Sequence, residues 1–184
     1  MNEYLETTQP NVWAFGDAIG HFLFKHSANE ESLVVYQNAV AKRKMVMDYH
    51  AIPHAVFTCP EIAAVGLKEK EAIERHGKDN ILIGFYRYQN TAKGEAMNAK
   101  NYFVKVILER QKMQILGAHI IGPHASILIQ EIINLMYTSD QNARPMFAAM
   151  HIHPALNEVV QRAFNSLMSA EEYHESVQLR SLEN

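Results

Sequence analysis

Two histidines and a glutamate near the end of the chain have the residue types and spacing of an acid/base pair. The segment reads MHIHPALNEVV, with His151 and His153 around one isoleucine and Glu158 five positions after His153. The residue before a proline avoids the α region, so we expect an extended His153 and a helix that begins at Pro154. Glu158 would then lie near the first helical turn, where its side chain can point back to the imidazole.

A carboxylate in that place could fix one tautomer of His153 and leave the other ring nitrogen facing outward for proton transfer. A histidine positioned as a general acid or base contributes about 10²–10⁴-fold to a rate. The spacing leaves two other interpretations open. Glu158 could simply suit the positive end of a helix that follows a loop histidine, or the pair His151 and His153 could bind zinc or iron together with Glu158.

A second stretch, TTQPNVWAFGDAIG, has the pattern of a ligand-binding turn. Val12–Phe15 predicts a short buried strand, and a helical pattern follows from Leu23 to about Lys44. Gly16 permits unusual backbone dihedrals at the strand end. Asp17 would lie at the strand tip, where ligands of open α/β sheets bind, and could accept a hydrogen bond from a ligand hydroxyl.

Composition and charge limit the class of protein. The 184 residues include 17 Lys and Arg against 20 Asp and Glu, a formal net charge of −3 with no block of like charge. No apolar run approaches the roughly 20 residues that cross a bilayer. We therefore expect neither nucleic-acid nor membrane partners, and the polar, acidic N-terminus predicts a cytoplasmic protein. The single cysteine, Cys59, excludes an intrachain disulfide and a C-x-x-C redox pair.

Beyond about residue 50 the pattern predicts an α+β fold, an antiparallel sheet with helices on one face. Alternating apolar and polar residues mark strands in NILIGFYRYQ, NYFVKVILER and QILGAHIIG, the last two joined as a hairpin. Two short extended pieces surround Pro60, and KEKEAIERHG is a short helix closed by Gly77. Three further helices are expected: Ala125–Ser139, Pro145–Met150, and Pro154 to about Met168.

We divide the chain into residues 1–48, 49–170 and a polar tail, 171–184. One strand and one helix cannot bury their own apolar faces, so the first segment has the character of a terminal βα piece of an incomplete α/β domain. The middle segment is the α+β domain. The tail is expected to be frayed or to cross to a partner.

Four motifs in order along the chain together resemble the pyridine nucleotide-disulfide oxidoreductases. TTQPNVWAFGDA resembles their second FAD-binding signature, T-x-x-P-x-[IV]-x-A-x-G-D, and FTCPEIAAVGLKEKEA resembles the start of their dimerisation domain. ILGAHIIGPHASILIQEI is similar to L-G-x-H-I-x-G-x-x-A-x-E-x-I, and HIHPALNEVVQRAF to H-x-H-P-T-L-S-E of the dihydrolipoamide dehydrogenases. The resemblance covers about residues 7–165.

The resemblance implies a role for each motif. Asp17, after Gly16, would bind the ribityl chain of FAD, and the backbone near Phe24 and Lys25 would lie beside the flavin. In the same way His153 would be the catalytic base, serving the disulfide and flavin of the other subunit of a homodimer. Glu158 would orient that base, and the His153–Pro154 bond would be cis.

The sequence also departs from this family. Ala155 and Asn157 replace the usual Thr and Ser, and Phe24-Lys25 stands where Leu-Ala is common. Neither G-x-G-x-x-G nor C-x-x-x-x-C occurs, so the nucleotide fingerprints and the redox cysteines are missing. We therefore expect a C-terminal part that is inactive without an N-terminal FAD and NAD(P) portion. A non-catalytic self-association module and a histidine-based metal protein remain the alternatives.

Overall fold

The computed structural model describes residues 1–182, with side chains through residue 178, and it forms two compact units, 1–52 and the residues from Pro53 onward. In the second unit the strands are β1 (His54–Val56), β2 (Ile62–Gly66), β3 (Ile81–Arg87), β4 (Phe103–Glu109), β5 (Ile115–Ile121) and β6 (Leu167–Ser169). The helices of the chain are α1 (Lys25–Ala39), α2 (Glu69–His76), α3 (Ala92–Ala96), α4 (Ala125–Met136), α5 (Arg144–Ala148), α6 (Glu158–Asn165) and α7 (Ala170–Leu182).

One antiparallel sheet, ordered β1-β2-β5-β4-β3-β6, organises the second unit. The predicted hairpin is present: β4 pairs antiparallel with β5, with Phe103 opposite Ile121. The pieces on either side of Pro60 also pair with each other, as β1 and β2. The α+β class with an antiparallel sheet is therefore confirmed, and it follows from the period-2 pattern of these segments.

Helices cover both faces of this sheet. Helix α6 crosses β3 and β4 at Gly84, where an added Cβ would lie 2.1 Å from the carbonyl oxygen of Ala163. Helix α4 packs on β2 and β5, whose side chains on the same face as Gly84 are almost fully buried. The other face carries α2 and α7, which enclose a cluster with Ile83 and Ile107. Helices α4 and α6 thus share one face of the sheet, and α2 and α7 lie on the other.

The last predicted helix begins later than its proline. We expected it to start at Pro154, but α6 starts at Glu158. Residues 155–160 first form a tight turn in which the Glu158 and Val159 amides donate to the carbonyls of Ala155 and Leu156. The amide of Ala155 donates to the Glu158 carboxylate, so it is satisfied by a side chain before the helix begins.

The C-terminal segment is more regular than predicted within the described residues. The end of the segment predicted as the last helix instead forms β6, which pairs with β3 through Met168 opposite Ile83, and the described part of the predicted tail, residues 171–182, lies in α7. Apolar contact with the sheet face stabilises this helix, since Ala170 is buried and Tyr173 packs beside it. The final part of the predicted tail, residues 183–184, lies outside the described residues.

The first unit is held by hydrogen bonds around α1 and does not contain the predicted strand. Val12–Phe15 is extended only in part, and a single bridge joins Trp13 to Glu6. A strand needs a partner along its length to satisfy its backbone groups, and residues 1–52 form no ladder. A short 3-10 helix, Gly16–Ile19, follows directly. Within residues 1–182 no helix has both the length and the apolar character needed to cross a bilayer.

Candidate functional site

The structure brings His153 and Glu158 together. His153 Nδ1 lies 3.0 Å from Glu158 Oε1, and the second carboxylate oxygen accepts from the Ala155 amide at 3.1 Å. The His153 side chain is 68% exposed, whereas that of Glu158 is 10% exposed. The predicted cis bond between His153 and Pro154 is present. One partner is therefore fixed in the protein and the other faces outward.

The geometry fixes the role of each ring nitrogen. An ionised carboxylate can only accept, so Nδ1 carries the hydrogen and Nε2 has a lone pair directed away from Glu158. The hydrogen bond from His153 lowers the pKa of Glu158, and the Ala155 amide lowers it further against the opposing effect of burial. Glu158 is therefore ionised at neutral pH. A neutral imidazole in this tautomer can take a proton at Nε2 and later return it.

Packing of α6 on the sheet determines where Glu158 lies. Val159, Val160, Ala163 and Phe164 are buried, so one face of the helix is fixed against β3 and β4. Ser166 closes the helix by donating its hydroxyl to the carbonyl of Phe85 at 3.0 Å. The helix start, and with it the carboxylate, is held by contacts that do not involve His153.

The structure separates His151 from the pair. The His151 side chain is 7% exposed and lies 3.8 Å from Glu131 Oε2, through its Nε2. Its Nδ1 is 3.2 Å from the carbonyl oxygen of Ala149. The two histidines of the H-x-H motif thus have different carboxylate partners. No group of three or more potential metal ligands occurs among the residues that the structure describes.

Gly16 and Asp17 lie at the start of the 3-10 helix in the first unit. Gly16 is buried with φ +65°, and its amide donates to Glu31 Oε2 at 2.6 Å. Asp17 is exposed. The backbone donor of Gly16 is therefore engaged within the protein, whereas the carboxylate of Asp17 is accessible to a ligand hydroxyl.

Phe24 and Lys25 mark the beginning of α1. Phe24 is extended and immediately precedes the helix, and its ring stacks on His26 with centroids 5.3 Å apart. The Lys25 ammonium donates to the side-chain oxygen of Asn29 one turn later. Their side chains are thus engaged locally, which leaves backbone groups as the means by which this position could contact a cofactor.

Sequence reasoning missed two carboxylates, one buried and one partly buried. Glu31 is fully buried and accepts from both Gly16 and the Tyr49 hydroxyl, the latter at 2.8 Å. Its spacing from Ser27 and Val34, which are also buried, places it on the inner face of α1. Glu131 is the only charged residue of the apolar helix α4. The signal for Glu31 is its spacing from buried helical positions, and the signal for Glu131 is a single carboxylate within an apolar helix.

The chain belongs to a known family. Residues 52–164 match the model described as the pyridine nucleotide-disulphide oxidoreductase dimerisation domain. This match covers strands β1 to β5 of the antiparallel sheet and the His153–Glu158 pair. The resemblance that the sequence motifs indicated is therefore confirmed at the level of the family.

The chain is also similar to individual proteins whose names are known. The chain is 41% identical to mycothione reductase of Mycobacterium tuberculosis over 175 residues, 91% of this chain and 37% of that protein. It is 36% identical to dihydrolipoyl dehydrogenase of Synechocystis sp. over 157 residues, 84% of this chain and 33% of that protein. The chain thus spans about a third of the length of these relatives. Dihydrolipoyl dehydrogenases were predicted as relatives, and the similarity to mycothione reductases was not.

Solved structures confirm the fold. LpdA of Mycobacterium tuberculosis superimposes with a TM-score of 0.77 at 20% identity, covering 89% of this chain and 35% of that one. The Cu(II) complex of the HOCl-induced flavoprotein disulfide reductase RclA of Escherichia coli gives 0.79 at 22% identity, covering 90% and 37%.

Proposed function

We propose that this chain is the dimerisation part of a flavin-dependent disulfide oxidoreductase, in which His153 is the acid/base group and Glu158 orients it. The observation that carries the proposal is the pair itself: an exposed imidazole whose Nδ1 is 3.0 Å from a nearly buried carboxylate. A purely structural domain requires neither group in this arrangement. The substrate class we propose is a disulfide, the group that the family description names.

The residues of the pair have distinct roles in this reaction. His153 Nε2 takes the proton of an incoming thiol, and the thiolate that forms attacks a disulfide. The same nitrogen returns the proton to the thiolate that leaves, so no net proton is retained by the protein. Glu158 stabilises the imidazolium in between, because its charge lies 3.0 Å from Nδ1.

The first unit offers part of a flavin site. Asp17 is exposed and can accept from a ribityl hydroxyl, and Gly16, braced by Glu31, holds the turn that presents it. We therefore propose that Gly16, Asp17 and the backbone at Phe24 and Lys25 contact FAD. When bound, FAD supplies two-electron transfer between a nicotinamide, NAD(P)H, and a disulfide.

The disulfide, the nucleotide fingerprints and the flavin's principal contacts would come from an N-terminal portion of the same enzyme. We further propose a homodimer in which His153 faces the partner subunit. Met150 and Ile152, on either side of His151, are exposed apolar side chains that a second copy would cover. We expect a cytoplasmic enzyme, and the free, exposed Cys59 suits a reducing compartment.

The test joins this chain to the FAD- and NAD(P)-binding portion of mycothione reductase and measures disulfide reduction by NAD(P)H. His153→Gln should lower the rate about 10²–10⁴-fold, and Glu158→Gln should lower it less, because the base is retained but its orientation is not. His124→Gln is the control, since His124 is exposed at the start of α4 and should leave the rate within about twofold.

Each outcome separates the proposal from its alternative. A His153→Gln chimera as fast as the unchanged one would exclude the acid/base role. A chimera that dimerises in sedimentation velocity, binds FAD and yet reduces no disulfide would support a non-catalytic self-association module. Without the N-terminal portion we expect no oxidation of NAD(P)H, and activity of the isolated chain would contradict that expectation.

A further inference from the structure

A second histidine–carboxylate pair lies beside the first and has no role in the proposed reaction. Glu131, on α4, lies 3.8 Å from His151 Nε2, within ion-pair range but beyond a hydrogen bond. Its other oxygen, Oε1, is buried and has no hydrogen-bond partner among the described residues. Burial raises the pKa of Glu131 to about 7. The Glu131 side chain as a whole is 31% exposed, but a buried carboxylate oxygen without a partner is costly and requires an explanation.

His151 connects this carboxylate to the catalytic loop, the segment from Met150 to His153. Its ring is 7% exposed, while the neighbouring side chains of Met150 and Ile152 are exposed. The His151 Nδ1 is 3.2 Å from the carbonyl of Ala149, which can only accept, so that nitrogen carries a hydrogen. His151 is therefore the inward-facing side chain of the segment that ends at His153.

The surroundings of Glu131 contain no competing charge. Helix α4 packs on β1, β2 and β5, whose titratable side chains, His54 and His119, lie on the opposite face of the sheet. Glu131 is the only charged residue of α4, and Arg144 and Arg162 of the adjacent helices are exposed. Within the described part of the chain, His151 is the one residue that lies within ion-pair distance of Glu131.

We propose that Glu131 is a positioning residue that holds His153 in place through His151. This inference rests on the proposed function, which gives His153 its importance. With one proton shared between carboxylate and imidazole, the pair is either an ion pair or a neutral acid and base, and both forms attract. Loss of that proton places a carboxylate against the Nε2 lone pair of His151, and the two acceptors repel in a buried space.

The consequence is a pH-dependent hold on the catalytic loop. While the pair keeps its shared proton, His151 stays inward and His153 keeps its Nδ1–H directed at Glu158. Once rising pH removes that proton, the loop loosens and the His153 tautomer becomes mixed. Glutamine at position 131 stays neutral and can donate to the His151 lone pair, so it removes the alkaline transition while preserving the contact.

The test uses nitrogen-15 NMR of the whole chain to measure the ratio of Nδ1–H to Nε2–H forms of His153 from about pH 7 to 10. Glu131→Leu should lower this ratio at least about threefold at the low end of the range, where the unchanged pair keeps its proton, and should make little difference at the high end. Glu131→Gln should hold the ratio near the low-pH value of the unchanged chain throughout the range. Gln130→Leu, an exposed position on the same helix, is the matched control and should change nothing.

Should Glu131→Leu fail to fold, His151→Phe removes both ring nitrogens with similar volume and should show the same loss. An unchanged His153 ratio in the folded Glu131→Leu or His151→Phe chain would overturn the proposal. A Glu131→Gln chain that follows the unchanged pH dependence would also overturn it, because a packing role alone predicts no such difference. The measurement needs no activity, so its failure is distinct from failure of the proposed reaction.

Discussion

Replacing Glu158 by glutamine should lower the free energy of unfolding by about 1–2 kcal/mol at neutral pH. The carboxylate accepts from His153 Nδ1 and the Ala155 amide and is the first residue of α6. A hydrogen bond to a charged group contributes about 1.5–3 kcal/mol, and a negative charge at a helix N-terminus about 0.3–1 kcal/mol. Glutamine keeps one acceptor for Ala155 but loses the charge. These contributions add to about 1.8–4 kcal/mol, and we reduce the expected loss to about 1–2 kcal/mol because water screens the 68% exposed His153.

The pH dependence of this loss has a definite sign. The folded-state pKa of Glu158 lies below the ordinary value of 4.5. A group with a lowered pKa contributes stability that is present above its unfolded pKa and is lost as the pH falls through the folded one. The difference between the unchanged chain and Glu158→Gln should therefore be full near pH 7 and shrink below about pH 4.

Urea unfolding followed by circular dichroism at neutral and acidic pH, at one fixed protein concentration, measures both quantities. Glu74→Gln is the matched control: Glu74 is 64% exposed and 3.9 Å from Lys70. Exposed pairs of this kind contribute about 0–1 kcal/mol, so the control should change little at either pH. If Glu158→Gln costs the same at both pH values, or no more than the control, the carboxylate is not stabilised by the contacts described.

Three further changes test the elements around the site. Gly84→Ala should cost about 1–3 kcal/mol in chemical denaturation, because the new Cβ would meet a carbonyl oxygen of α6 at 2.1 Å; a neutral result would show that the helix can move away freely. Phe164→Ala should cost about 3–5 kcal/mol in the same assay, since the ring is fully buried, and a loss below about 1 kcal/mol would contradict that packing. Glu31→Gln should let Tyr49 ionise at a lower pH in an ultraviolet titration, because burial and the nearby carboxylate raise its pKa; an unchanged titration would mean that Glu31 does not contribute.

Local periodicity predicted most of the second unit. The segments that became β3, β4 and β5 alternate apolar and polar residues, and a short connection joined the last two, so pairing followed from sequence neighbours. The apolar run of α4 was long enough to be recognised, although its end at Met136 was three residues earlier than expected. These elements could be predicted because they depend on contacts between sequence neighbours or on the burial of one apolar face.

Apart from the positions of helix ends, the errors concern partners that are distant in sequence. The predicted strand Val12–Phe15 lacks a ladder within residues 1–52, so its apolar content was not sufficient. The short strand β6 exists because β3 offers it an edge: Met168 pairs with Ile83, 85 positions earlier in the chain, and no local pattern encodes that pairing. Glu131 was missed for the same reason, since its partner His151 lies on a different element.

The His153–Glu158 contact was predicted although the helix boundary was not, and the reason is local geometry. A helix starting at Pro154 would point Glu158 back toward its N-terminus. In the structure the helix starts four residues later. The tight turn before it nevertheless places one oxygen of the same carboxylate at the Ala155 amide and the other at the imidazole of His153. Both arrangements satisfy free amides at a helix start with one side chain. The contact therefore depends on that requirement and on the five-residue spacing, and it tolerates an error in where the helix begins.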